Sequence, residues 1–580
     1  AWVNIDEPAL VEERSTDELA ALARFYQRLG DHADRPKIAL TTYFGHVGSA
    51  MDILGRLPVE AVGLDFCRGR ENLDLLRSPG VLRDKVLYAG VVDGRNVWVN
   101  DLHASLDLLD QLNEVAAEVV ASTSCSLLHV PLGSVADENI DEEVRPWLAF
   151  ADDKLAELAV LARGATHGRD SVVRELDSNQ SILATRRGST RVAVEAIRKR
   201  VASFAAVDPR RTQPYAKRAV TQRAGLALPA LPTTTIGSFP QTSELRRARA
   251  SWRAGHLDDA EYETSLRTEI DRVLAIQEEI GLDVLVHWEP ERDDMVRYFA
   301  DQLSGFVVPD AGWVQSYGSR CVRPPVLFGD VARHSPMTVD WARYAQSLTS
   351  KPVKGMLTGP ITMLRWSFVR DDQPESETAD QLALAIRDEL VDLEAAGTRI
   401  IQVDEPALRE GLPLRLGERS EYLAWATRAF RLVTSAAADG TQVHTHMCYA
   451  ELGDIVGALD ELDVDVLSFE AARSAMAAVE VLQHASYQGG AGPGIYDVHS
   501  PRVPEVQGIE RLLRRALDGL GPDRLWVNPD CGLKTRTYGQ VLPALDHMVS
   551  AARHLREEAA SSGMAPGTPR AADASPNLET

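Results

Sequence analysis

The 580 residues are 44% hydrophobic and 25% charged, which is a globular composition in a chain too long for a single hydrophobic core. The formal net charge of −23 excludes the nucleic-acid backbone as a main ligand. No apolar run is long enough to span a membrane, no secretory signal is visible, and the five cysteines are odd in number and scattered. We therefore expect a cytoplasmic protein with reduced thiols.

Apolar, β-rich runs alternate with longer helical patterns along the chain, and this alternation predicts a parallel α/β fold. The predicted strands are residues 37–42, 282–287, 353–357, 399–403, 442–446, 464–469 and 525–528. Helical patterns such as 380–396 and 509–520 lie between them. Polar and charged residues follow the strands closely, as they do on the active-site face of a (β/α)8 barrel.

An internal repeat divides the chain. Residues 3–10 match residues 401–408, and further matches follow in the same order: 62–66 with 466–470, 89–93 with 493–497, and 125–127 with 531–533. The repeat predicts two (β/α)8 TIM-type barrels produced by duplication, the first of them incomplete. We expect a partial N-terminal barrel (1–150), a helical connector (151–230), a C-terminal catalytic zinc barrel (231–560) and a disordered tail (561–580). Because the chain opens directly on a predicted buried strand, we also expect it to be truncated at its N-terminus.

Four polar residues lie at or just past the ends of predicted strands of the second barrel and would suit a tetrahedral zinc site. They are His446, Cys448, Glu470 and Cys531. In the first copy only Cys125 matches a ligand, whereas Phe66 stands opposite Glu470 and Tyr43 lies near the place of His446. This loss favours a metal role, although buried cysteines are commonly plain core residues. His444 is a competing ligand, which we rank as structural.

Zinc held by thiolates suits the activation of another thiol, and therefore favours alkyl transfer to sulfur over hydrolysis. His499, with Asp497 two residues earlier, is a candidate general acid or a structural histidine bonded to backbone. Asp404 could bind a substrate ammonium, but its motif recurs in the first copy, so a structural role stays open. The strand end at Gly237 and Ser238 could receive a carboxylate or form a simple turn.

Seven segments resemble signatures of the cobalamin-independent methionine synthase family. They are 233–242, 312–325, 354–360, 404–413, 444–449, 496–502 and 526–536. The resemblance implies two face-to-face barrels that transfer a methyl group from 5-methyltetrahydrofolate polyglutamate to homocysteine, the last step of methionine biosynthesis. It also implies roles for individual residues: zinc ligation by His446, Cys448, Glu470 and Cys531; homocysteine binding by Ile236, Gly237, Ser238, Glu289 and Asp404; folate binding by Arg320, Cys321, Trp366 and Glu410; and proton donation by His499 beside Asp497.

Two features depart from the family pattern. Trp288 stands where the family has glycine, so its ring could crowd the neighbouring Glu289 or point into a gap. The early part of the first barrel, which in the family supplies basic residues for the glutamate tail, is absent. Two alternatives therefore stay open: a relative that uses another methyl donor, such as a methylcorrinoid, and a catalytically dead zinc-binding homologue. In each case we expect a monomer that binds neither nucleic acid nor membrane.

Overall fold

The computed structural model describes residues 1–77, 81–135, 140–316, 321–448 and 452–561. The predicted folate contact Arg320 and the predicted tail beyond residue 561 lie outside the described residues. The strands are β1 Trp2–Asp6, β2 Lys37–Thr41, β3 Ala61–Asp65, β4 Leu82–Val92, β5 Ala116–Thr123, β6 Leu285–Val286, β7 Phe306–Val307, β8 Val314–Gln315, β9 Cys321–Val322, β10 Val326–Leu327, β11 Val353–Thr358, β12 Ile400–Asp404, β13 Gln442–Met447, β14 Val466–Phe469 and β15 Gly490–Pro493.

Within the two main sheets helices alternate with the strands, whereas six described helices follow one another between β5 and β6. The helices are α1 Thr16–Gly30, α2 Met51–Arg56, α3 Asn72–Leu76, α4 Leu102–Leu112, α5 Ala151–His167, α6 Val173–Gly188, α7 Glu195–Phe204, α8 Tyr215–Leu226, α9 Ser243–Arg253, α10 Asp259–Ile280, α11 Arg297–Ala300, α12 Val339–Ser347, α13 Pro360–Arg365, α14 Glu375–Ala395, α15 Leu416–Thr434, α16 Val456–Leu459, α17 Ala477–His484, α18 Val506–Leu520 and α19 Tyr538–Ser561. Among the described helices, none combines the length and hydropathy needed to cross a membrane.

Local sequence explains where these elements begin and end. Helix α10 starts at a capping box, in which the Asp258 carboxylate accepts from the Glu261 N–H at 2.8 Å and the Glu261 carboxylate accepts from the Asp258 N–H at 3.0 Å. It ends at Gly281, whose φ of 89° is readily adopted by glycine alone. All six residues of β11 are buried, as expected for a parallel strand whose outer face is covered by helices and whose inner face points into the closed ring.

The first sheet is parallel and has the order β1-β2-β3-β4-β5. Helices α5 and α6 belong to it, because Leu161 and Leu176 lie in its hydrophobic core. Helix α8 instead contacts the second sheet, where Arg218 Nε donates to Asp465 Oδ1 at 2.8 Å within a buried ion pair. The predicted connector is therefore divided between the two halves of the molecule.

The second sheet is also parallel, with the order β15-β14-β13-β12-β11-β6. Two further segments close it into a ring. Thr233 bridges Val527, and the N–H groups of residues 283 and 284 donate to the Thr233 carbonyl at 3.1 Å. On the other side, β15 bridges the segment 525–528 through Ala491 with Leu525 and Gly494 with Asn528. The predicted parallel α/β fold is confirmed, with one closed ring and one open sheet.

The two sheets pair their strands in the same register. In the first sheet Asn4 pairs with Ala39, which pairs in turn with Ala61. In the second sheet Gln402, the counterpart of Asn4, pairs with His444, which pairs in turn with Val466. Counting along β3 and β14 from these pairs makes Asp65 the counterpart of Glu470. The predicted match with Phe66 is wrong by one residue. In the register of the structure, residues 61–65 and 466–470 share one pattern of two apolar residues, a small residue, an apolar residue and a carboxylate, whereas the predicted match sets Phe66 against Glu470.

The loops beyond the carboxyl ends of the strands hold the two sheets together. Trp98 Nε1 and Asn96 Nδ2, which follow β4, donate to the Val369 carbonyl at 2.7 and 2.9 Å. Arg415, which follows β12, donates to the His46 carbonyl at 2.6 Å. The carboxyl ends of the two sheets therefore face each other.

Candidate active site and metal centre

Polar side chains lie at the carboxyl ends of three strands of the ring: the neighbours β13 and β14, and the segment 525–528 on the far side of β15. His446 lies near the end of β13 and Cys448 follows that strand, Glu470 follows β14, and Cys531 follows the segment 525–528. Parallel strands in a closed ring bring such positions to one face. Residues separated by 85 positions along the sequence, from 446 to 531, therefore become neighbours.

The sulfur atoms of Cys448 and Cys531 are 3.2 Å apart, and the Cys448 sulfur lies 3.5 Å from His446 Nε2. The Cys531 thiol donates to Glu470 Oε1 at 3.3 Å. The ligand atoms of His446, Cys448 and Cys531 lie within 4.8 Å of one another, so this group could hold a metal ion. It is the one such group of His, Cys, Asp and Glu side chains found in the part of the chain that the structure describes.

Burial and mutual proximity shift the pKa values of these groups. The hydrogen bond with Cys448 and burial raise the pKa of the Cys531 thiol well above its usual range. Burial alone would lower the pKa of His446, but the nearby acidic groups, Cys531 foremost, raise it. Neighbouring His444 lies apart from the group, because its Nε2 pairs with Gln442 Oε1 at 3.0 Å and its ring packs on Trp526.

The predicted homocysteine contacts surround a second polar cluster at the same end of the ring. Ser238 Oγ donates to Glu289 Oε2 at 3.4 Å, and a Cβ added at Gly237 would lie 3.4 Å from the same oxygen. Arg292 pairs with the other oxygen of Glu289. Burial and the charge of Glu289 raise the pKa of Asp404 to about 6, although His446 opposes this shift.

The two carboxylates of the Asp404–Glu405 pair have different environments. Glu405 accepts from the Ile361 N–H at 3.0 Å and from the N–H and hydroxyl of Thr362 at 2.8 Å each, so it caps the start of α13. Burial raises the pKa of Glu405 to about 7. Glu405 is therefore a structural residue, and Asp404 is the member of the pair that lies beside the candidate site.

Asp497 and His499 form a turn. The Asp497 Oδ1 atom accepts the backbone N–H of His499 at 2.8 Å, and the imidazole of His499 is exposed. The carboxylate thus fixes the backbone that carries the histidine and leaves the ring free to meet a ligand from solvent.

The predicted folate contacts are only partly described. Trp366 is half-buried at the end of α13, and its Nε1 donates to Glu410 Oε2 at 3.1 Å, which brings these two residues together. Cys321 is exposed on β9, which forms an antiparallel ribbon with β8. Arg320 lies outside the described residues, so this structure does not place it.

Trp288 occupies a left-handed backbone conformation, with φ of 78°, and Glu289 follows with φ of 58°. The indole is 1% exposed and lies in the hydrophobic core of the ring. Its Nε1 donates to the Phe239 carbonyl at 2.6 Å. The ring therefore points into the core, and its hydrogen bond ties the Glu289 loop to the loop that carries Ser238.

Sequence reasoning missed two residues beside the site. Lys354 on β11 is 1% exposed and Gln402 on β12 is fully buried, and both lie within the ring. A lysine inside an otherwise apolar predicted strand was the available signal, because buried lysines need a partner. Burial lowers the pKa of Lys354 to about 7, against the opposing influence of Asp404 and Glu289.

Comparison with known proteins agrees with this arrangement. The family described as "Cobalamin-independent synthase, Catalytic domain" matches residues 231–554, and "Cobalamin-independent synthase, N-terminal domain" matches residues 1–117. The 5-methyltetrahydropteroyltriglutamate–homocysteine methyltransferase of Streptomyces griseus is 56% identical over 558 residues, which cover 96% of this chain and 72% of that protein. The enzyme of the same name from Mycobacterium leprae is 52% identical over 96% of this chain and 73% of its own length.

A solved B12-independent methionine synthase from Shewanella sp. W3-18-1 is 22% identical and covers 57% of this chain and 99% of its own, with a TM-score of 0.49. The sequence relatives are close and extend over nearly the whole chain. This chain therefore belongs to the cobalamin-independent methionine synthase family.

Proposed function

We propose that this chain transfers the methyl group of 5-methyltetrahydropteroyltriglutamate to the thiol of homocysteine and so produces methionine. Its close relatives carry the name of this activity. The observation that carries the proposal is the meeting of two thiols, an imidazole and a carboxylate at one end of the ring. Thiolate-rich sites of this kind suit the activation of another thiol.

We propose zinc as the metal, with His446, Cys448, Glu470 and Cys531 as its ligands. The donor set supports this choice, because two sulfurs, one nitrogen and one oxygen are borderline-soft ligands in the number that zinc prefers. Zinc bound there would hold the homocysteine sulfur as a thiolate, which is the nucleophilic form. The candidate metal group itself consists of His446, Cys448 and Cys531, and Glu470 is added because its Oε1 accepts from the Cys531 thiol at 3.3 Å.

We propose that Glu289 and Asp404 bind the α-ammonium of homocysteine and that the strand end at Ile236, Gly237 and Ser238 receives its α-carboxylate. The closeness of Glu289 to Ser238 and Gly237 supports one compact amino-acid site. Arg292 pairs with one oxygen of Glu289, and the other oxygen, which accepts a long bond of 3.4 Å from Ser238 Oγ, has a further lone pair for a ligand. Two acidic side chains match the positive charge of an α-ammonium.

Methyl transfer forms the sulfur–carbon bond of methionine and breaks the carbon–nitrogen bond at N5 of the folate. The departing amine is a poor leaving group, so a proton must reach N5 as the methyl leaves. We propose His499 as its donor, on the support of its exposed imidazole and the Asp497 turn that orients its backbone. Trp366, held by Glu410, offers a flat face for the pterin ring, with Cys321 and Arg320 as further folate contacts.

We further propose that the open first sheet and the closed ring are two barrels that arose by duplication. The shared strand register supports this proposal. The domain boundaries predicted from the sequence remain proposals, as do a cytoplasmic location and a monomeric state. All five cysteines are free thiols, in keeping with a reducing compartment.

The proposal is tested by assaying homocysteine-dependent consumption of methyltetrahydropteroyltriglutamate by the zinc-loaded chain, with a methylcorrinoid as a parallel donor. Cys531→Ser should abolish turnover and lower the zinc content. Cys67→Ser is the matched control, because Cys67 is a thiol of the first sheet outside the candidate metal group. Turnover by Cys531→Ser at the wild-type rate, or turnover with the corrinoid donor alone, would contradict the proposal.

A further inference from the structure

We propose that Lys354 and Gln402 form a positioning pair beneath the amino-acid site, which fixes Asp404 and the strand end at Ile236 in the orientation that binds homocysteine. This inference rests on the proposed function, since it assigns a task to residues behind the proposed homocysteine contacts. Neither residue is itself proposed to touch the substrate.

The pair is a continuous set of hydrogen bonds across three segments of the ring. Lys354 Nζ donates to the Thr235 carbonyl and to Gln402 Oε1, each at 2.6 Å. Gln402 Nε2 donates in turn to the Ile236 carbonyl at 2.9 Å and to Asp404 Oδ1 at 2.8 Å. The lysine thereby connects β11 to β12 and to the segment that leads into Gly237.

The chemistry of the donors fixes the direction of every bond in the pair. An ammonium group has donors and no acceptor, so Lys354 holds the oxygen of the Gln402 amide toward itself. The amide nitrogen must then face the opposite way, and its two hydrogens reach Ile236 and Asp404. One oxygen of Asp404 is thus occupied and held in place, while its other oxygen stays available for a ligand.

The charge of Lys354 also supports its role as a positioning residue. Asp404 and Glu289 are both close enough to Lys354 to act on its ammonium electrostatically. Two carboxylates at one small site repel each other, and a buried cation behind them offsets that repulsion. Arg292 has the same effect on Glu289 from another direction.

The first sheet contains a related but looser arrangement. Asn4 Nδ2 donates to Asp6 Oδ1 at 2.6 Å, as Gln402 does to Asp404. There the second donor to the aspartate is the hydroxyl of Thr41 at 2.5 Å, and the amide is exposed. The amide–aspartate bond is therefore common to both sheets, whereas at Asp404 the amide is buried and its oxygen is held by a cation.

The test measures binding of homocysteine to the zinc-loaded full chain by calorimetry, alongside KM and kcat. Lys354→Met removes the ammonium but keeps most of the side-chain volume, and Gln402→Glu keeps the acceptor for Lys354 but removes both donors. Each variant should weaken homocysteine binding about tenfold, which is the effect of losing one oriented charged hydrogen bond. Zinc content and the KM for the folate should stay at their wild-type values.

A second ligand separates positioning from general loss of structure. The thiol acid that lacks only the α-amino group of homocysteine does not need Asp404 but still needs the strand end at Ile236, so both variants should lose less affinity for it than for homocysteine. The control is Lys351→Met, because Lys351 also donates to a buried carbonyl, that of Leu282 at 2.6 Å, but lies before β11 at its other end. This control should bind both ligands normally.

Wild-type affinity for homocysteine in both variants would overturn the proposal, as would an equal loss of affinity for both thiols. Failure of the positioning proposal can be told apart from failure of the proposed function. If the wild-type chain binds homocysteine without turning it over, the methyl-transfer proposal fails, while the binding measurements still decide the role of the Lys354–Gln402 pair.

Discussion

Trp288 provides a sharp test of the structure around the candidate site, because its side chain and its backbone make opposite contributions to stability. Its indole is 1% exposed and hydrogen-bonded to Phe239, so Trp288→Ala should destabilise the chain by about 3–5 kcal/mol. Its φ of 78° lies in the left-handed region, which costs a non-glycine residue about 1–2 kcal/mol. Trp288→Gly creates the same cavity but relieves this strain.

The glycine variant of Trp288 should therefore be more stable than the alanine variant by about 1 kcal/mol, after the extra entropy of glycine in the unfolded chain is subtracted. Urea unfolding of the two variants, followed by far-UV circular dichroism, measures this difference directly. Trp147 is the matched control, since it is also 1% exposed and donates from its indole, to Thr185 at 3.0 Å. It ends a short helical turn with negative φ, so there the alanine variant should be the more stable one by about 0.5–1 kcal/mol. An alanine variant of Trp288 that is as stable as the glycine variant would refute the strain argument.

Three further predictions concern charged groups. The His287 imidazole and Arg292 outweigh burial and hold the pKa of Glu291 at about 2, against 4.5 for an unperturbed carboxyl, so its stabilisation is complete above pH 4.5 and is lost as the pH falls toward 2. Glu291→Gln should cost about 3 kcal/mol of unfolding free energy at pH 5, and urea titrations should show this difference shrinking below pH 4.5; a constant difference would contradict the assignment. Asp404→Asn should raise the KM for homocysteine by about tenfold to a hundredfold through loss of a charged hydrogen bond, with the KM for the folate unchanged, and steady-state kinetics would expose an equal rise in both. Glu470→Gln should lower zinc affinity by about tenfold or more in competition with a chelator, while Glu405→Gln, which changes the α13 cap, should leave zinc affinity as it is.

The alternation of apolar runs and helical patterns predicted the parallel α/β fold, because buried strands and amphipathic helices have distinct periods. The ends of strands were less predictable. Only Leu285–Val286 pairs regularly within the predicted strand 282–287, and the predicted strand 525–528 forms isolated bridges that close the ring. Closure depends on contacts between segments almost 300 residues apart, such as Thr233 with Val527, and no local pattern encodes these contacts.

The candidate metal group was predictable because cysteine and histidine are rare and each member lies at or just past the end of a strand. The Lys354–Gln402 pair was not predictable, because its hydrogen bonds form only when β11, β12 and the segment at Thr235 are brought together by the fold. The match of Glu470 with Phe66 failed for a related reason, because register is set by pairing between strands. The direction of the Trp288 side chain likewise depends on a backbone conformation that is unusual for tryptophan.

The proposed zinc site joins His446, Cys448, Glu470 and Cys531 around one ion that receives the sulfur of homocysteine. X-ray absorption at the zinc edge of the loaded chain, before and after addition of homocysteine, examines that site itself. We expect two sulfur ligands at about 2.3 Å in the resting protein, accompanied by nitrogen and oxygen, and a third sulfur when homocysteine is added. A zinc environment without sulfur, or one that homocysteine leaves unchanged, would contradict the proposed site.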